Sequence, residues 1–398
     1  MKYIVVLGDG MSDEPVAALG GKTPLEYANT PAMDALASKG EMGMVQNVPA
    51  GMAPGSDVAN LSVMGYDPVT NYSGRSPLEA LSVGVEMAPD DIVFRCNLVT
   101  VTEEEPYGEK TILDHSSGEI STEDADILMD TIREHFNNEE FRFYTGTSYR
   151  HIMIWKKGNL VPLEPPHDHL TKVIGPWLPK EEKLRQMMEK SFDLLNDHPL
   201  NLRRAAGGKN KANSLWFWGA GTRPSLESFA AKTGLKGAMV SAVDLLKGIA
   251  VGAGMKVCQV EGATGSIDTN WEGKAQAAID ALLKDGCDFV YIHLEAPDEM
   301  AHQGLVEEKV RSIEYLDSRI VAPLKKAMEE AGEDHRMLIL PDHPNLLRLR
   351  THTGDAVPYV LYDSTRERRA IAHYSEAEAR ATGNFEPQGH RLMDRFLH

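Results

Sequence analysis

Short runs of aliphatic, β-branched and aromatic residues recur along this 398-residue chain, and each run stops at a polar loop. Because they lack polar alternation, such runs are typical of strands that are buried on both faces of a sheet. Helical patterns, such as residues 306–330, separate the later runs. This alternation predicts an α/β fold with a mostly parallel sheet sandwiched by helices. The runs are residues 3–7, 288–294, 337–340 and 357–362.

The middle of the chain follows a different pattern. Strand-like segments flank a strongly periodic helix at residues 123–136, and a second amphipathic helix follows. This mixture predicts a smaller α+β domain at residues 94–199, inserted into a larger domain that is formed by residues 1–93 and 200–398. The apolar run at residues 214–219 is predicted to return to the main sheet.

Charge and cysteine content limit the class of partner. The chain has 41 basic and 59 acidic residues, and the net charge of -18 repels nucleic acids and anionic membranes. Cys96, Cys258 and Cys287 lack CxxC spacing, which predicts buried free thiols in a reducing compartment. The first apolar run is too short to span a membrane. We therefore expect a cytoplasmic protein with a small-molecule partner, and the oligomeric state is not predicted.

Carboxylate and imidazole side chains follow several of the predicted strands. Taken singly, each has an ordinary structural explanation, such as a helix N-cap for Asp298 or a turn before Pro344. Parallel strands bring their carboxyl ends to one edge of a sheet, so these side chains are expected to meet there. Together they suit a pair of borderline divalent ions better than a structural tetrahedral site. They are Asp9, Asp298, His302, Asp342, His343 and His352.

Ser56, in the segment PGSDVANLS, is the candidate nucleophile. A hydroxyl is a weak nucleophile at neutral pH, and coordination to a divalent ion stabilises its alkoxide. Gly55 permits a close backbone approach, and a helix predicted over residues 57–64 would turn its N-terminal amides toward a phosphate on Ser56. A serine that only caps this helix explains the same local pattern.

Basic side chains could supply local positive charge for phosphate and carboxylate groups. Arginine offers a planar fork that matches the oxygens of both groups. Arg75 and Arg150 stand out because they lie among Gly, Ser and Tyr rather than on a charged helix face. Solvation of the surface remains the alternative for each residue. The candidates are Arg75, Arg95, Arg150, His151, Arg203, Arg204, Lys209 and Lys211.

Longer motifs run through nearly the whole chain. They are GDGMSD, PGSDVANLSVMGYDP, YSGRSPLEA, FRCNLVTV, SYRH, PPHD, GATGSIDTN, APDEMAHQG and PDHP. With these motifs the chain resembles the cofactor-independent (2,3-bisphosphoglycerate-independent) phosphoglycerate mutases of the archaeal type, in the alkaline phosphatase superfamily. The resemblance implies an alkaline-phosphatase-like sheet with an inserted domain. It also implies interconversion of 3-phosphoglycerate and 2-phosphoglycerate in glycolysis and gluconeogenesis, through a phosphoserine at Ser56 and without bisphosphoglycerate.

The resemblance further implies cofactors and a role for each side chain. Two divalent ions would be bound, with manganese preferred and zinc or magnesium as alternatives. One ion would be held by Asp9, Ser56, Asp342 and His343. The other would be held by Asp298, His302 and His352. A small phosphorylated substrate would be bound through Arg75, Arg95, Asp114, Arg150, His151 and Lys211.

One position departs from the pattern of the family. Mutases of this superfamily often carry a His four residues after the nucleophilic Ser, whereas this chain has Asn60. A sister group that looks similar has been proposed to act as a homoserine kinase in threonine synthesis. ATP-dependent phosphorylation of homoserine is therefore the alternative prediction, because Ser56 and the metal ligands would serve either substrate.

Overall fold

The computed structural model describes residues 1–366 and 372–398, and the chain divides into two compact units, Met1–Tyr72 with Ser225–His398 and Ser73–Pro224. The strands are β1 (Lys2–Gly8), β2 (Glu41–Val45), β3 (Ile92–Val101), β4 (Ile112–Asp114), β5 (Phe141–Tyr144), β6 (Arg150–Trp155), β7 (Ser214–Thr222), β8 (Gly237–Val240), β9 (Lys256–Cys258), β10 (Phe289–Leu294), β11 (His335–Leu340), β12 (Asn345–Leu346), β13 (Thr351–His352), β14 (Val357–Asp363) and β15 (Phe385–Glu386).

The α-helices are α1 (Pro24–Tyr27), α2 (Pro31–Lys39), α3 (Ser56–Val63), α4 (Pro68–Asn71), α5 (Arg75–Ser82), α6 (Thr122–Phe136), α7 (Glu182–Leu195), α8 (Pro199–Ala206), α9 (Phe229–Thr233), α10 (Asp244–Gly252), α11 (Trp271–Leu283), α12 (Ala296–Gln303), α13 (Val306–Leu316), α14 (Ala322–Glu330), α15 (Glu376–Ala381) and α16 (His390–Leu397). None of the helices in the described part of the chain is long and apolar enough to cross a bilayer.

The first unit is built on a sheet with the strand order β15-β2-β14-β11-β1-β10-β8-β9. The strands from β11 to β9 are parallel to one another, whereas β14 runs antiparallel to both β11 and β2. Every residue of β10 and β11 is buried, as the continuous apolar runs predict for strands that are covered on both faces. The predicted α/β fold with a mostly parallel sheet is confirmed.

Helices cover this sheet and share its hydrophobic core, to which α2, α11, α13 and α14 contribute. The predicted helix at 306–330 is present, but a π-helical segment, Asp317–Val321, separates α13 from α14. The carboxylate of Asp317 accepts hydrogen bonds from the amides of Met33 at 2.7 Å and Ala32 at 3.2 Å. These are N-terminal amides of α2, so Asp317 caps that helix from a distant part of the chain.

The second unit contains a sheet in which β3 lies beside β6 on one side and pairs with β4 and β7. All ten residues of β3 are buried. The helix predicted at 123–136 is α6, and together with α7 it contributes to the core over this sheet. Cys96 of β3 is buried and unpaired, as are Cys258 and Cys287 of the first unit, which confirms the prediction of free thiols.

The prediction that residues 214–219 return to the main sheet is wrong. They lie in β7, which pairs antiparallel with β3 in the second unit. An apolar run identifies a buried strand but not its partner, because strand pairing depends on contacts that are distant in sequence. The predicted insertion, residues 94–199, lies inside the second unit, which extends to Ser73 and Pro224. The unit is wider because α5 packs on β3 and β7 at one end and β7 pairs with β3 at the other.

Candidate metal centre and active site

The carboxyl ends of three neighbouring strands bring the predicted ligands to one edge of the main sheet. Asp9 follows β1, Asp342 and His343 follow β11, and α12, which carries Asp298 and His302, follows β10. The last residues of these strands lie side by side in parallel register. This edge is where open α/β sheets place their ligand sites.

The first group of side chains surrounds the hydroxyl of Ser56. Ser56 Oγ lies 3.4 Å from Asp9 Oδ2 and 3.1 Å from His343 Nε2. His343 Nε2 in turn lies 3.5 Å from Asp9 Oδ1 and 3.3 Å from Asp342 Oδ2. Ligand atoms that share one ion lie about 3 to 3.5 Å from one another. Asp9, Asp342 and His343 are therefore spaced to hold a divalent ion.

The second group of side chains centres on Asp298. Its Oδ2 lies 3.0 Å from His302 Nε2, and its Oδ1 lies 3.2 Å from His352 Nε2, a residue of β13. The two imidazole nitrogens lie 2.9 Å apart. The ring of His343 stacks on that of His352 with centroids 3.9 Å apart, and Asp298, His343 and His352 also have the spacing of metal ligands. His343 therefore lies between the two groups.

The helix-cap explanations for Ser56 and Asp298 do not hold in the structure. Ser56 is the first residue of α3, whose N-cap is Gly55 with no side-chain capping bond, so Ser56 does not cap the helix. Asp298 likewise lies inside α12, whose N-cap is Glu295. The hydroxyl of Ser56 and the carboxylate of Asp298 are turned toward the candidate ligands instead.

The electrostatics of both groups fit divalent cations. Burial and the neighbouring carboxylates of Asp342 and Asp298 raise the pKa of Asp9 well above its ordinary value. Burial would also raise the pKa of Asp298, but hydrogen bonds with His302 and His352 hold it well below that value. Asp9 Oδ1 is buried and has no hydrogen-bond partner among the described residues. A buried oxygen without a donor is costly, and a bound cation would satisfy it.

Three buried neutral side chains, which sequence reasoning did not assign to the site, hold the carboxylates in place. Such outer partners orient metal ligands and tune their affinity. Burial lowers the pKa of His293 to about 4, so its ring is neutral. Only Asn60 carried a signal in the sequence, as the departure from the family pattern. The contacts are His293 Nε2 to Asp9 Oδ2 at 2.8 Å, Asn60 Nδ2 to Asp342 Oδ2 at 2.9 Å, and Asn345 Nδ2 to Asp298 Oδ1 at 2.7 Å.

A buried ion pair connects the loops that carry these ligands. Lys309 of α13 and Asp13, which follows β1, have fully buried side chains, and Lys309 Nζ lies 2.8 Å from Asp13 Oδ2. Lys309 Nζ also donates to the backbone oxygen of Asn345 at 2.7 Å. The Asp13 carboxylate accepts from the amide of Leu347 at 3.2 Å. Helix α13 is thereby tied to the loops that follow β1 and β11.

We expect Lys309→Met to lower the free energy of unfolding by about 3 to 5 kcal/mol, because it leaves the carboxylate of Asp13 buried without its counter-charge. Urea denaturation of the metal-free protein measures this loss. The double variant Lys309→Met/Asp13→Asn is the control, and we expect it to recover part of the stability because it also removes the buried charge. A single variant as stable as the parent protein would contradict this role for the ion pair.

In the second unit, three of the predicted arginines lie near one another. Arg75 Nε and Arg95 Nη2 both contact Oε1 of Glu79, at 2.9 and 3.2 Å. Burial lowers the pKa of Arg95 to about 10, and although Glu79 opposes this shift, Arg75 and Arg150 add to it. Arg95 lies over the ring of Trp218 at 4.9 Å, and its buried Nε has no hydrogen-bond partner among the described residues. This cluster offers donors and positive charge to a carboxylate or phosphate.

A series of rings, also missed in the sequence, continues from Trp218. The ring centroid of His167 lies 5.6 Å from that of Trp218 and 5.9 Å from that of His115. His115 in turn lies 5.7 Å from Tyr149. Burial lowers the pKa of His167, and nearby positive charge, including that of Arg95, lowers it further. The PPHD motif contains His167 and could have drawn attention to it, whereas His115 lies in a loop without a pattern.

His151 is adjacent to Arg150 in sequence but lies on the other face of its sheet. In the pairing of β3 with β6, His151 is opposite Cys96, and Arg95 is opposite Ile152. Because successive side chains of a strand alternate between faces, His151 is separated from Arg95 and Arg150. Burial lowers the pKa of His151 to about 3, so its ring is neutral. A substrate contact for His151 stays a prediction.

Asp114 and Lys211 lie toward the far end of β3. Asp114 pairs with Thr100, and the hydroxyl of Thr100 donates to the backbone oxygen of Lys211 at 2.7 Å. Thr100 is about 16 Å along the strand from Arg95. Lys211 Nζ forms an ion pair with Glu103 at 2.8 Å. The structure does not group Asp114 and Lys211 with the arginines, and their substrate contacts also stay predictions.

Comparison with known proteins identifies the family. Residues 37–201 match the profile of a family described as 2,3-bisphosphoglycerate-independent phosphoglycerate mutase. A probable 2,3-bisphosphoglycerate-independent phosphoglycerate mutase of Geobacter sulfurreducens is 50% identical, with 100% of both chains aligned. The enzyme of that name from Methanosarcina mazei is 48% identical over 91% of this chain and 90% of its own.

A solved structure agrees with these relatives. The cofactor-independent phosphoglycerate mutase of Thermoplasma acidophilum superposes with a TM-score of 0.67 at 26% identity, covering 100% of this chain and 99% of the other. The likeness in sequence extends over the full length of the Geobacter relative. The chain belongs to the family of 2,3-bisphosphoglycerate-independent phosphoglycerate mutases.

Proposed function

We propose that this chain interconverts 3-phosphoglycerate and 2-phosphoglycerate through a phosphoserine at Ser56, without added 2,3-bisphosphoglycerate. The observation that carries the proposal is the position of the Ser56 hydroxyl, 3.4 Å from Asp9 Oδ2 and 3.1 Å from His343 Nε2. Membership of the mutase family supports the choice of substrate. We place the reaction in the cytoplasm, as a step of glycolysis and gluconeogenesis.

Two divalent metal ions are the proposed cofactors. Carboxylate and imidazole ligands suit borderline ions, and we propose manganese ahead of zinc or magnesium. When bound, the ions would stabilise the serine alkoxide and neutralise charge on the transferred phosphoryl group. One ion would be held by Asp9, Ser56, Asp342 and His343. The other would be held by Asp298, His302 and His352.

Ser56 carries the phosphoryl group between the two positions of the substrate. Its oxygen attacks phosphorus while the bond to the substrate's 3-oxygen breaks, and that oxygen takes up the proton that Ser56 releases. After the glycerate has reoriented, its 2-oxygen attacks phosphorus while the bond from phosphorus to Ser56 Oγ breaks, and Ser56 Oγ takes up the proton that the 2-hydroxyl releases. The N-terminus of α3 favours the phosphorylated state, because its free amides and helix dipole stabilise an anion.

The arginines of the second unit are the proposed binding groups for the substrate carboxylate. Arg75, Arg95 and Arg150 concentrate positive charge in a protein whose net charge is -18. The guanidinium of Arg95 lies over the ring of Trp218 beside Glu79, and the planar fork of a guanidinium matches the two oxygens of a carboxylate. Asp114, His151 and Lys211 are further candidates on the strength of the family resemblance.

An enolase-coupled assay tests the proposed function. With 3-phosphoglycerate as the substrate and manganese present, we expect turnover without bisphosphoglycerate, loss of turnover after EDTA treatment, and recovery when manganese is restored. The same sample is given ATP and homoserine, and we expect no phosphohomoserine. Metal-loaded protein that fails to turn over 3-phosphoglycerate would contradict the proposal. Formation of phosphohomoserine would support the kinase alternative at the same serine.

A further inference from the structure

Asn60 links the helix of the nucleophile to a proposed metal ligand. It lies one turn after Ser56 in α3, and its amide nitrogen donates to the backbone oxygen of Ser56 at 2.8 Å and to Asp342 Oδ2 at 2.9 Å. Its amide oxygen accepts from the hydroxyl of Tyr291, a residue of β10, at 2.6 Å. The side chains of Asn60 and Tyr291 are both 0% exposed. The amide therefore has a protein partner on each side and no access to water.

Tyr291 supplies the donor that anchors the oxygen of this amide. The phenol donates to the oxygen of Asn60, and the amide nitrogen faces two acceptors, the carboxylate of Asp342 and the backbone oxygen of Ser56. The reversed amide would set its oxygen against a carboxylate oxygen, and neither atom carries a proton. Without the phenol, the amide oxygen would be buried without a donor, and only the nitrogen side of the amide would still be held, by Asp342 and Ser56.

The two oxygens of Asp342 are held by different partners. Oδ1 accepts from the amides of Gly10 at 3.1 Å and His343 at 2.8 Å. Oδ2 lies 3.3 Å from His343 Nε2, in the group spaced for an ion, and its side-chain donor is Asn60. Backbone groups thus fix one oxygen, while Asn60 sets the direction of the oxygen that faces the candidate ion.

We infer that Tyr291 and Asn60 form a positioning pair for the phosphoryl-transfer site. Tyr291 anchors the oxygen of the Asn60 amide, and Asn60 holds Asp342 Oδ2 in place beside Ser56. The inference rests on the proposed function. It assigns a role to Asn60 at the position where mutases of this superfamily often carry a His.

The test compares two tyrosines that each donate one hydrogen bond from a buried position. Tyr291→Phe removes the hydroxyl that anchors the amide oxygen of Asn60 and little else. Tyr66→Phe is the matched control in the first unit, because Tyr66 is 3% exposed and its hydroxyl donates to the backbone oxygen of Glu227 at 2.8 Å. Asn60→Asp is a second variant of nearly the same shape, which replaces the donor with a carboxylate facing Asp342.

Calorimetric titration of the full-length apo-protein with manganese is the main readout. We expect Tyr291→Phe to weaken binding at one site about 10-fold and Asn60→Asp about 100-fold, as partners outside the ligand shell typically do. Tyr66→Phe should bind manganese like the parent protein. In mutase assays, the manganese concentration for half-maximal activity should rise in the same order, while KM for 3-phosphoglycerate at saturating manganese stays near that of the parent.

Equal manganese affinity in Tyr291→Phe and Tyr66→Phe would overturn the inference. If Tyr291 had a purely structural role, Tyr291→Phe and Tyr66→Phe would both have lower melting temperatures and unchanged manganese affinity. That result would also contradict the inference. If Asn60→Asp fails to fold, the manganese affinity of Tyr291→Phe alone tests the inference. Calorimetry needs no turnover. A parent protein that binds manganese without mutase activity would therefore contradict the proposed function. The manganese affinities of the variants would still test the role of Tyr291 and Asn60.

Discussion

Ser56→Ala is expected to lower the mutase rate by about 10⁴-fold or more, because removal of a covalent nucleophile leaves only binding and electrostatic contributions. The substitution removes one oxygen from a partly buried position at the start of α3, and that oxygen forms no helix cap. The fold should therefore persist, with circular dichroism and melting temperature close to those of the parent. The enolase-coupled assay with 3-phosphoglycerate and manganese measures the rate.

Ser62→Ala is the matched control for the nucleophile. Ser62 belongs to the same helix and is 1% exposed, but it is not among the candidate ligands. We expect this variant to retain most of the parent activity. If Ser56→Ala turned over 3-phosphoglycerate as fast as Ser62→Ala, the assignment of the nucleophile would be wrong.

Asp298→Asn is expected to lower turnover by about 10³-fold, since loss of a metal ligand removes several kcal/mol of transition-state stabilisation. It should also reduce bound manganese from two ions per chain to one. Asparagine keeps the size of the side chain and can still accept from Asn345, so packing around the site should change little. Metal analysis of the dialysed protein, together with the coupled assay, measures both effects.

Glu299→Gln is the control for the loss of charge at Asp298. Glu299 is the next residue of α12 and is partly exposed, and its carboxylate accepts from Gln303 on the same helix. We expect this variant to bind two ions and to keep the parent rate. Two bound ions in Asp298→Asn, with unchanged turnover, would rule out the second metal group.

Much of the fold follows from local pattern. The runs that become β1, β10 and β11 lack polar residues along most of their length, which identifies strands covered by helices on both faces. The sheet to which β7 belongs could not be predicted from local pattern. Its aromatic run is equally suited to either sheet, and contacts with residues distant in sequence determine that it pairs with β3. Helix α5 belongs to the second unit for the same reason, since it packs on β3 and β7, which are distant from it in sequence.

The candidate ligands could be predicted because parallel strands bring their carboxyl ends to one edge of the sheet. Residues that follow these strands therefore lie close together although they are far apart in sequence. Two of the neutral partners, His293 and Asn345, could not be predicted. His293 lies within the buried strand β10, and Asn345 begins the short strand β12, where a single polar residue has no periodicity to distinguish it. His151 shows the converse, because both it and Arg150 were candidates for binding the substrate, whereas strand alternation places the two side chains on opposite faces.

The central claim is that Ser56 carries the phosphoryl group. The most direct test is to mix the manganese-loaded protein with 3-phosphoglycerate, quench in acid within a turnover, and map phosphorylated peptides by mass spectrometry. We predict phosphate on Ser56, its loss when glycerate is added, and none in Ser56→Ala. An active enzyme that carries no phosphate on Ser56 during turnover, or carries it on another residue, would contradict the account.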